Sequence, residues 1–376
     1  MSEQRRLVEL TELGVSIWLD DLDRRRLESG NLADLIRDWS VRGVTTNPAI
    51  FENALRNAAD SYANGLRSCR AHGMNAEQAV QTLTREDVQA ACDLFRGMWA
   101  SSSGVDGRVS LEVDPRLAHD VSGTVDQACQ IWRDLDRPNA MIKIPATAAG
   151  LEAIPLVLAQ GISVNVTLIF SPDRYRSVLA AHASGLGMAR AAGIDLSTIR
   201  SVASVFVSRV DTAVDARLDA VDSERAAALR GRAAVANAQI VWSSYVEWLA
   251  GDEWAQLATA GAHPQRPLWA STGVKDPALP DTWYVTELIG RGCVNTMPEA
   301  TLRAVADHGQ LGPDRLGDPR ALAQAQDIWQ QVSALGIDPD DVFAELERAG
   351  VDAFVKAWER LLETTDSALQ GIDARS

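Results

Sequence analysis

Short apolar segments alternate with longer amphipathic segments along most of the chain. The short segments are rich in Val, Ile and Leu, which is typical of buried strands, and the longer ones repeat apolar residues at helical spacing. The pattern predicts eight strands, at residues 15–20, 43–47, 109–114, 140–145, 162–170, 201–207, 268–272 and 293–297. Eight strands that alternate with helices over about 300 residues predict an α/β protein with a (β/α)8 barrel, the TIM-barrel architecture.

The predicted barrel carries additional helices. The connections at residues 50–108 and 208–267 are long enough for several inserted helices, and residues 298–376 show helical patterns only, with a polar break near 312–320. We interpret residues 298–376 as a C-terminal helical extension. Because no linker composition interrupts the chain, residues 1–376 are predicted to form a single domain. A doubly wound sheet is disfavoured, since its first strand usually runs into a Gly-rich turn and this one ends in Asp20-Asp21-Leu22.

Several predicted strands alternate polar and apolar residues, although strands that are covered on both faces are usually apolar throughout. In the third strand Ser110 and Glu112 share one face, and Leu111 and Val113 share the other. The polar face is therefore predicted to point into the barrel, where active sites lie at the carboxyl ends of the strands. The residues placed there are Asp20, Thr45, Asn47, Glu112, Lys143, Asn165, Thr167 and Ser204.

Lys143 is the strongest candidate for a catalytic residue. The chain has 3 lysines and 33 arginines, and this lysine lies in the apolar segment 140–146. Burial favours the neutral amine that a lysine nucleophile requires, and arginine does not deprotonate in proteins. A snorkelling lysine, with its stem on apolar surface and its ammonium in water, is the alternative that this segment alone leaves open.

A lysine among carboxylates and polar groups, without a metal or nucleotide motif, suits carbonyl chemistry through a Schiff base. Glu112 is predicted to move protons during imine formation, and Asp20 to take the proton of a substrate hydroxyl. The remaining polar side chains of the inner face could bind the hydroxyl groups of a sugar. We predict no cofactor and no metal.

Arg209, Ser271 and Lys275 follow the sixth and seventh predicted strands, where barrels of this type often bind phosphate. Arg209 could instead form a salt bridge with Asp211 or Asp215. Lys275 could be a solvated loop lysine, and it is also the second candidate for the nucleophile.

Composition narrows the choice of partners. The net charge of −15 argues against a nucleic-acid surface, but a few local cations could still bind an anionic substrate. The four cysteines lack CxxC spacing and neighbouring histidines, so we expect buried, reduced thiols. No segment approaches about 18 consecutive apolar residues, and residues 1–14 lack the apolar core of a signal peptide. We expect a cytoplasmic protein without a membrane span.

Six motifs resemble those of transaldolases, and they occur in the same order over most of the chain. They are GVTTNPAI at 43–50, VSLEVD at 109–114, MIKIPAT at 141–147, GISVNVTLIF at 161–170, ASVFVSRVD at 203–211 and WASTGVKDP at 269–277. The chain is most similar to a longer bacterial form with an extended helical C-terminus.

The resemblance implies transfer of a dihydroxyacetone unit from sedoheptulose 7-phosphate to glyceraldehyde 3-phosphate, without a cofactor. It implies Lys143 as the Schiff-base lysine, Glu112 acting through a water, and Asp20 as the acid/base at the C4 hydroxyl. The residues that it implies for substrate binding are Thr45, Asn47, Asn165, Thr167, Ser204, Phe206, Arg209 and Ser271. The chain departs from the family at position 273, which is glycine where shorter members have arginine, so Lys275 is the nearest cation in that loop.

Two alternative functions remain open from the sequence: another class I aldolase acting on a sugar phosphate, and a non-catalytic barrel that binds sugar phosphates. The oligomeric state, monomer or homodimer, is not predicted.

Overall fold

The structure is a closed barrel of parallel strands. This computed structural model describes residues 4–373, so residues 1–3 and 374–376 of the predicted domain lie outside the described residues. Eight strands in the described part pair in sequence order, and the last strand pairs with the first, which confirms the predicted (β/α)8 barrel. The strands are β1 (Ser16–Leu19), β2 (Val41–Val44), β3 (Arg108–Glu112), β4 (Ala140–Pro145), β5 (Val164–Ile169), β6 (Ser201–Phe206), β7 (Arg266–Ala270) and β8 (Val294–Met297).

Helices surround the barrel and fill both long connections. Those before and within the barrel are α1 (Gln4–Glu12), α2 (Arg24–Glu28), α3 (Asn31–Asp38), α4 (Pro48–Asn57), α5 (Ala59–Ala71), α6 (Ala76–Leu94), α7 (Arg96–Ser101), α8 (Val121–Leu135), α9 (Ala148–Leu158), α10 (Pro172–Ala191), α11 (Ser208–Val221), α12 (Glu224–Ala227), α13 (Ala233–Leu249), α14 (Asp252–Thr259) and α15 (Trp283–Thr286). The predicted extension consists of α16 (Glu299–His308), α17 (Pro319–Ala334) and α18 (Pro339–Asp373).

The second strand begins and ends earlier than predicted. The sequence predicts it at residues 43–47, but β2 ends at Val44. Asn47 instead caps α4, because its side chain accepts a hydrogen bond from the amide of Ile50. Pro48 occupies the first helical position, where its missing N–H is not needed. Thr45 and Asn47 therefore lie on the loop after β2, at the carboxyl end of the barrel.

A buried tryptophan lies inside the amino-terminal half of the barrel. Trp18 of β1 is 1% exposed, and its indole N–H donates to the hydroxyl of Ser16 over 3.1 Å. A Cβ atom at Gly43 of β2 would lie 2.6 Å from the indole ring, so the neighbouring strand needs glycine there. The indole ring and the backbone of β2 are therefore in close contact inside the barrel.

The last helix crosses the carboxyl-end opening of the barrel. α18 contacts α4, α5, α6, α11 and β5. A Cβ atom at Gly350 would lie 3.1 Å from the side chain of Leu168, so the helix approaches β5 closely at this point. The helical extension is thus packed onto the barrel at the strand ends where the polar residues lie.

Three cysteines, Cys69, Cys92 and Cys293, are buried as predicted, whereas Cys129 is only partly buried. The prediction was wrong for Cys129 because this residue lies on α8 between the buried Ala128 and the exposed Gln130. None of the helices in residues 4–373 is long and apolar enough to span a membrane.

Candidate active site

A cavity of about 270 Å³ opens at the carboxyl ends of the strands, beneath α18. Strand ends, the loops that follow them, and one face of α18 supply its walls. Nine of the residues that the sequence predicts for the site line this cavity: Asp20, Thr45, Asn47, Lys143, Thr167, Ser204, Phe206, Arg209 and Ser271.

Lys143 lies inside the barrel, with its amine directed at a carboxylate. The register of β3 with β4 pairs Glu112 with Lys143, and the lysine Nζ lies 3.4 Å from Oε2 of Glu112. The amine also donates to the carbonyl oxygen of Thr46 over 3.1 Å, and it lies 5.4 Å from the ring centroid of Phe354. Because Lys143 is only 4% exposed, the snorkelling alternative is wrong.

Glu112 is a buried carboxyl that titrates near neutral pH. Burial raises its pKa to about 7, and the charge of Lys143 opposes this rise only in part. The distance of 3.4 Å to the lysine is that of an ion pair, and within the described residues Oε2 accepts no hydrogen bond. A carboxyl of this kind can both give and take protons at neutral pH, which is the property that a general acid–base catalyst requires.

Asp20 lies across the cavity from this pair. Burial raises its pKa, while Lys143 and a hydrogen bond from Thr45 act in the opposite direction. The Thr45 hydroxyl donates to Oδ1 of Asp20 over 2.7 Å, and it lies 2.7 Å from the hydroxyl of Thr296. Since Thr45 has a single proton, Thr296 must be the donor in the second contact. The chain of hydroxyls fixes the orientation of the Asp20 carboxyl.

A second polar network joins β3, β5 and β6. The Asn165 amide donates to Ser110 over 3.0 Å, and the Ser204 hydroxyl donates to the Asn165 oxygen over 2.7 Å. Asn165 is fully buried and does not line the cavity, so in the structure it orients Ser204 rather than facing the open space.

The hydroxyl of Thr167 is buried and has no hydrogen-bond partner among residues 4–373. It lies on a stretch of β5 where the register with β6 is irregular, and the next residue, Leu168, has a φ of +59°. A non-glycine residue in this left-handed region costs on the order of 1–3 kcal/mol and is often found beside functional sites. The irregular strand thus presents an unsatisfied hydroxyl to the cavity.

The part of the cavity wall formed by Arg209 and Ser271 is cationic. Arg209 lies with its guanidinium 5.1 Å from the ring centroid of Phe206, and burial lowers its pKa. The alternative for Arg209, a salt bridge with Asp211 or Asp215, is not formed in the described part of the chain. Asp211 accepts hydrogen bonds from Tyr284 and from the amide of Ala234, and Asp215 accepts one from the amide of Gly231. Arg209 is left available to an anion. Ser271 lies beside it, in contact with the hydroxyl of Ser208 at 2.9 Å.

Lys275 is exposed in its loop and is not among the residues that line the cavity. A different cation, Arg360 of α18, does line it, and it also pairs with Glu52 at 3.1 Å. Sequence reasoning missed Arg360 because it lies more than 60 residues beyond the last strand. The available signal was the spacing of Ala353, Ala357 and Arg360, which places them on one helical face.

Phe354, also of α18, is a further residue that the sequence did not predict. Its ring packs edge-on against Phe206 with centroids 6.5 Å apart, and it covers the amine of Lys143.

Within residues 4–373, no three His, Cys, Asp or Glu side chains form a group that could hold a metal ion.

Known proteins are similar to this chain over almost its full length. A family model described as transaldolase/fructose-6-phosphate aldolase matches residues 17–365. A transaldolase of Saccharopolyspora erythraea is 54% identical over 369 residues, which are 98% of this chain and 99% of the relative. A transaldolase of Mycolicibacterium smegmatis is 52% identical over 369 residues, with 98% and 99% covered, and transaldolase 1 of Streptomyces coelicolor is 53% identical, with 98% and 96% covered. The chain belongs to the transaldolase/fructose-6-phosphate aldolase family.

Proposed function

We propose that this protein is a transaldolase that transfers a dihydroxyacetone unit from sedoheptulose 7-phosphate to glyceraldehyde 3-phosphate through a Schiff base on Lys143. The products are erythrose 4-phosphate and fructose 6-phosphate, and we infer a cytoplasmic role in the non-oxidative pentose phosphate pathway. The observation that carries the proposal is the buried amine of Lys143, 3.4 Å from the carboxyl of Glu112 and facing a cavity of sugar size. We assign residues 1–376 to one catalytic domain.

The first step is imine formation. The neutral amine of Lys143 attacks the ketone carbon of the donor sugar, and the resulting carbinolamine loses water to give an iminium ion. A single carboxyl can serve this step if its protonated form gives a proton to the departing hydroxyl and its ionised form accepts one. A carboxyl with a pKa of about 7 is present in both states at neutral pH, which suits Glu112 to this exchange.

The second step breaks a carbon–carbon bond. Asp20 removes the proton of the C4 hydroxyl, the bond between C3 and C4 breaks, and its electron pair moves into the iminium, which becomes an enamine. Erythrose 4-phosphate leaves as the aldehyde. The enamine then attacks the aldehyde carbon of glyceraldehyde 3-phosphate, Asp20 returns the proton to the new hydroxyl, and hydrolysis releases fructose 6-phosphate.

The polar walls would hold the substrate during these steps. Thr45, Asn47, Thr167 and Ser204 face the cavity and suit sugar hydroxyls, while Asn165 supports Ser204. We assign the substrate phosphate to Arg209 and Ser271, with Arg360 as the second cation. A contact between Lys275 and the substrate phosphate stays a prediction, because Lys275 is exposed and its loop would have to move.

Trapping the imine tests the proposal. The protein is incubated with fructose 6-phosphate and reduced with borohydride, and the modified peptide is identified by mass spectrometry. We expect one adduct, on Lys143. The matched variant Lys143→Arg should keep the far-ultraviolet circular dichroism of the wild type and lose both adduct and turnover, because arginine does not form the imine. An adduct on another lysine would assign the nucleophile elsewhere.

An acceptor assay separates transfer from simple aldol cleavage. With fructose 6-phosphate alone, a transaldolase retains the dihydroxyacetone unit on the lysine, whereas an aldolase releases it as free ketone. We expect rapid release of fructose 6-phosphate product only when an aldose phosphate acceptor is added to the sedoheptulose 7-phosphate donor. Sustained release of dihydroxyacetone without acceptor would favour the alternative aldolase function.

A further inference from the structure

A second cavity, of about 420 Å³, lies at the amino ends of the strands, opposite the candidate active site. We call it the basal cavity. Its walls include Ser16 and Trp18 of β1, Met141 of β4 and Val202 of β6. The bottom of such a barrel usually serves stability, with bulky aliphatic side chains in packed layers. Here the floor is an open space large enough for a small metabolite.

The basal cavity is strongly cationic. Five arginines and one histidine line it, and the residues concerned are Arg42, Arg108, Arg200, Arg266, Arg291 and His263. Asp106 is the one carboxylate among the lining residues. The lining therefore carries four positive charges without a counter-charge, in a chain whose net charge is −15.

The carboxylate of Asp106 already has its own partners in the protein. Asp106 pairs with Arg42 and with Arg266, each at 3.2 Å, and it also accepts the hydroxyl proton of Ser16 over 2.7 Å. The other three arginines, Arg108, Arg200 and Arg291, form no ion pair within residues 4–373. A structural cluster of buried charges would normally be balanced by carboxylates, because an uncompensated buried charge is costly.

Two of the unpaired arginines are buried in the cavity wall. Arg108 is 2% exposed and donates only to uncharged oxygens, namely the carbonyls of Gly104 and Pro138 and the hydroxyl of Ser163. Arg200 is 9% exposed, and its Nε donor has no partner among the described residues.

Burial and the charge of Arg200 lower the pKa of Arg108 to about 9. Burial lowers the pKa of His263, and the charges of Arg200 and Arg108 lower it further. These groups therefore repel one another in the absence of an anion. An anion placed between them would relieve this repulsion and satisfy the free Nε donor.

We propose that the basal cavity binds a small anion that carries two phosphate groups. Arginine is the side chain best suited to phosphate, because its planar fork donates two parallel hydrogen bonds. One phosphate carries a charge of about −1.5 to −2 at neutral pH, so two of them match the four uncompensated cations. The aromatic and aliphatic walls formed by Trp18, Val202 and Tyr245 leave room for an organic portion.

Calorimetric titration of the full chain with inorganic pyrophosphate tests this site. Arg209→Gln is used as the background, because it weakens phosphate binding in the candidate active site. We expect saturable binding of one pyrophosphate in this background, and about tenfold weaker binding of orthophosphate, which makes fewer charge-assisted hydrogen bonds. Absence of saturable pyrophosphate binding in Arg209→Gln would overturn the proposal.

A charge series locates the ligand. Arg291 is exposed at the rim and has no ion pair in the described chain, so its replacement leaves the fold intact. Arg291→Gln should weaken pyrophosphate binding by roughly threefold and Arg291→Glu by about tenfold or more, with turnover unchanged. The matched changes Arg133→Gln and Arg133→Glu, on the exposed surface of α8, should leave the affinity unchanged. Equal affinity across both series would place the anion elsewhere.

Discussion

At the scale of single residues, position within the barrel decides the chemistry of Lys143 more than its neighbours in sequence do. Its apolar flanks are compatible with burial and with snorkelling alike. Pairing of β3 with β4 brings Glu112 to the same level, and α18 adds the ring of Phe354 above the amine. A lysine with a carboxyl partner in a closed, low-dielectric cavity is a proton-transfer pair, and an exposed lysine with the same flanks is not.

The raised pKa of Glu112 predicts a pH dependence of stability. The carboxyl binds a proton more tightly in the folded state, with a pKa of about 7, than in the unfolded chain, with a pKa near 4.5. The free energy of unfolding should therefore fall as pH rises through this window, by at most about 1.4 kcal/mol per pH unit from this group. Glu112→Gln should remove that contribution, so that the wild type loses stability relative to the variant as pH rises.

Urea unfolding of both proteins at several pH values across this window measures the effect. The exposed Glu152→Gln on α9 serves as the control and should follow the wild type. Parallel stability profiles for wild type and Glu112→Gln would contradict a raised pKa at this carboxyl.

Arg360 should contribute to binding rather than to the chemical step. A cation that holds the phosphate makes the same contact in the ground state and in the transition state, so its loss raises KM and leaves kcat nearly unchanged. For Arg360→Gln we expect KM for fructose 6-phosphate to rise about tenfold, the equivalent of one or two lost charge-assisted hydrogen bonds. The exposed Arg348→Gln on the same helix is the control.

Unphosphorylated fructose provides the discriminating measurement for Arg360. If the guanidinium binds phosphate, kcat/KM for fructose should be the same in Arg360→Gln and in the wild type. A parallel loss with both sugars would instead assign Arg360 to the shape of α18 through its pair with Glu52.

At the scale of elements, the alternation of strands and helices was sufficient to predict the barrel, because periodicity is a local property of the sequence. The predicted strand ends were less accurate where a helix-capping residue competes with the strand. Asn47 fits the polar pattern of β2, but its side chain caps α4 and Pro48 starts that helix. The contribution of α18 was beyond local reasoning, since contacts of Phe354 and Arg360 with the barrel depend on how a distant helix docks.

Two glycines on one helix should respond in opposite ways to the same substitution. A Cβ atom at Gly187 of α10 meets nothing within 4 Å, so Gly187→Ala should stabilise the protein by about 1 kcal/mol through helix propensity. A Cβ atom at Gly185 would lie 2.7 Å from Leu158 of α9 and 2.9 Å from Pro155. Gly185→Ala should therefore destabilise the protein by about 1–3 kcal/mol through overpacking.

Urea denaturation of the two alanine variants compares them directly, and each serves as the control for the other. Stabilisation by Gly185→Ala would mean that α9 and α10 separate easily. Destabilisation by Gly187→Ala would mean that this position is not open.

At the scale of the whole molecule, the local charge at each end of the barrel is opposite in sign to the net charge of the chain. A chain with a net charge of −15 has cations at the candidate active site and again in the basal cavity. Charges screened by salt act over a Debye length of about 10 Å, so an anion in either cavity responds mainly to the arginines around it. Net charge argues against a nucleic-acid surface, which stays a prediction, but it carried no information about these local sites.

The helix α18 either unfolds together with the barrel or opens independently as a cover. Its inner face is buried, with Val342, Phe354 and Leu361 at 5% exposure or less. A helix that gains its stability from packing cannot open without exposing that face to water. We therefore expect backbone amides in residues 351–361 to exchange with solvent as slowly as those in the middle of α10, at the rate set by global unfolding.

Leu361→Ala turns this expectation into a direct test by hydrogen exchange and mass spectrometry. Leu361 is fully buried, so the truncation should lower stability by about 2–5 kcal/mol. If α18 and the barrel unfold together, protection should fall by the same amount in α18 and in α10. The exposed Glu363→Ala on the same helix should change neither. A loss of protection confined to α18 would identify it as a cover that opens independently, and substrate could then enter by that motion.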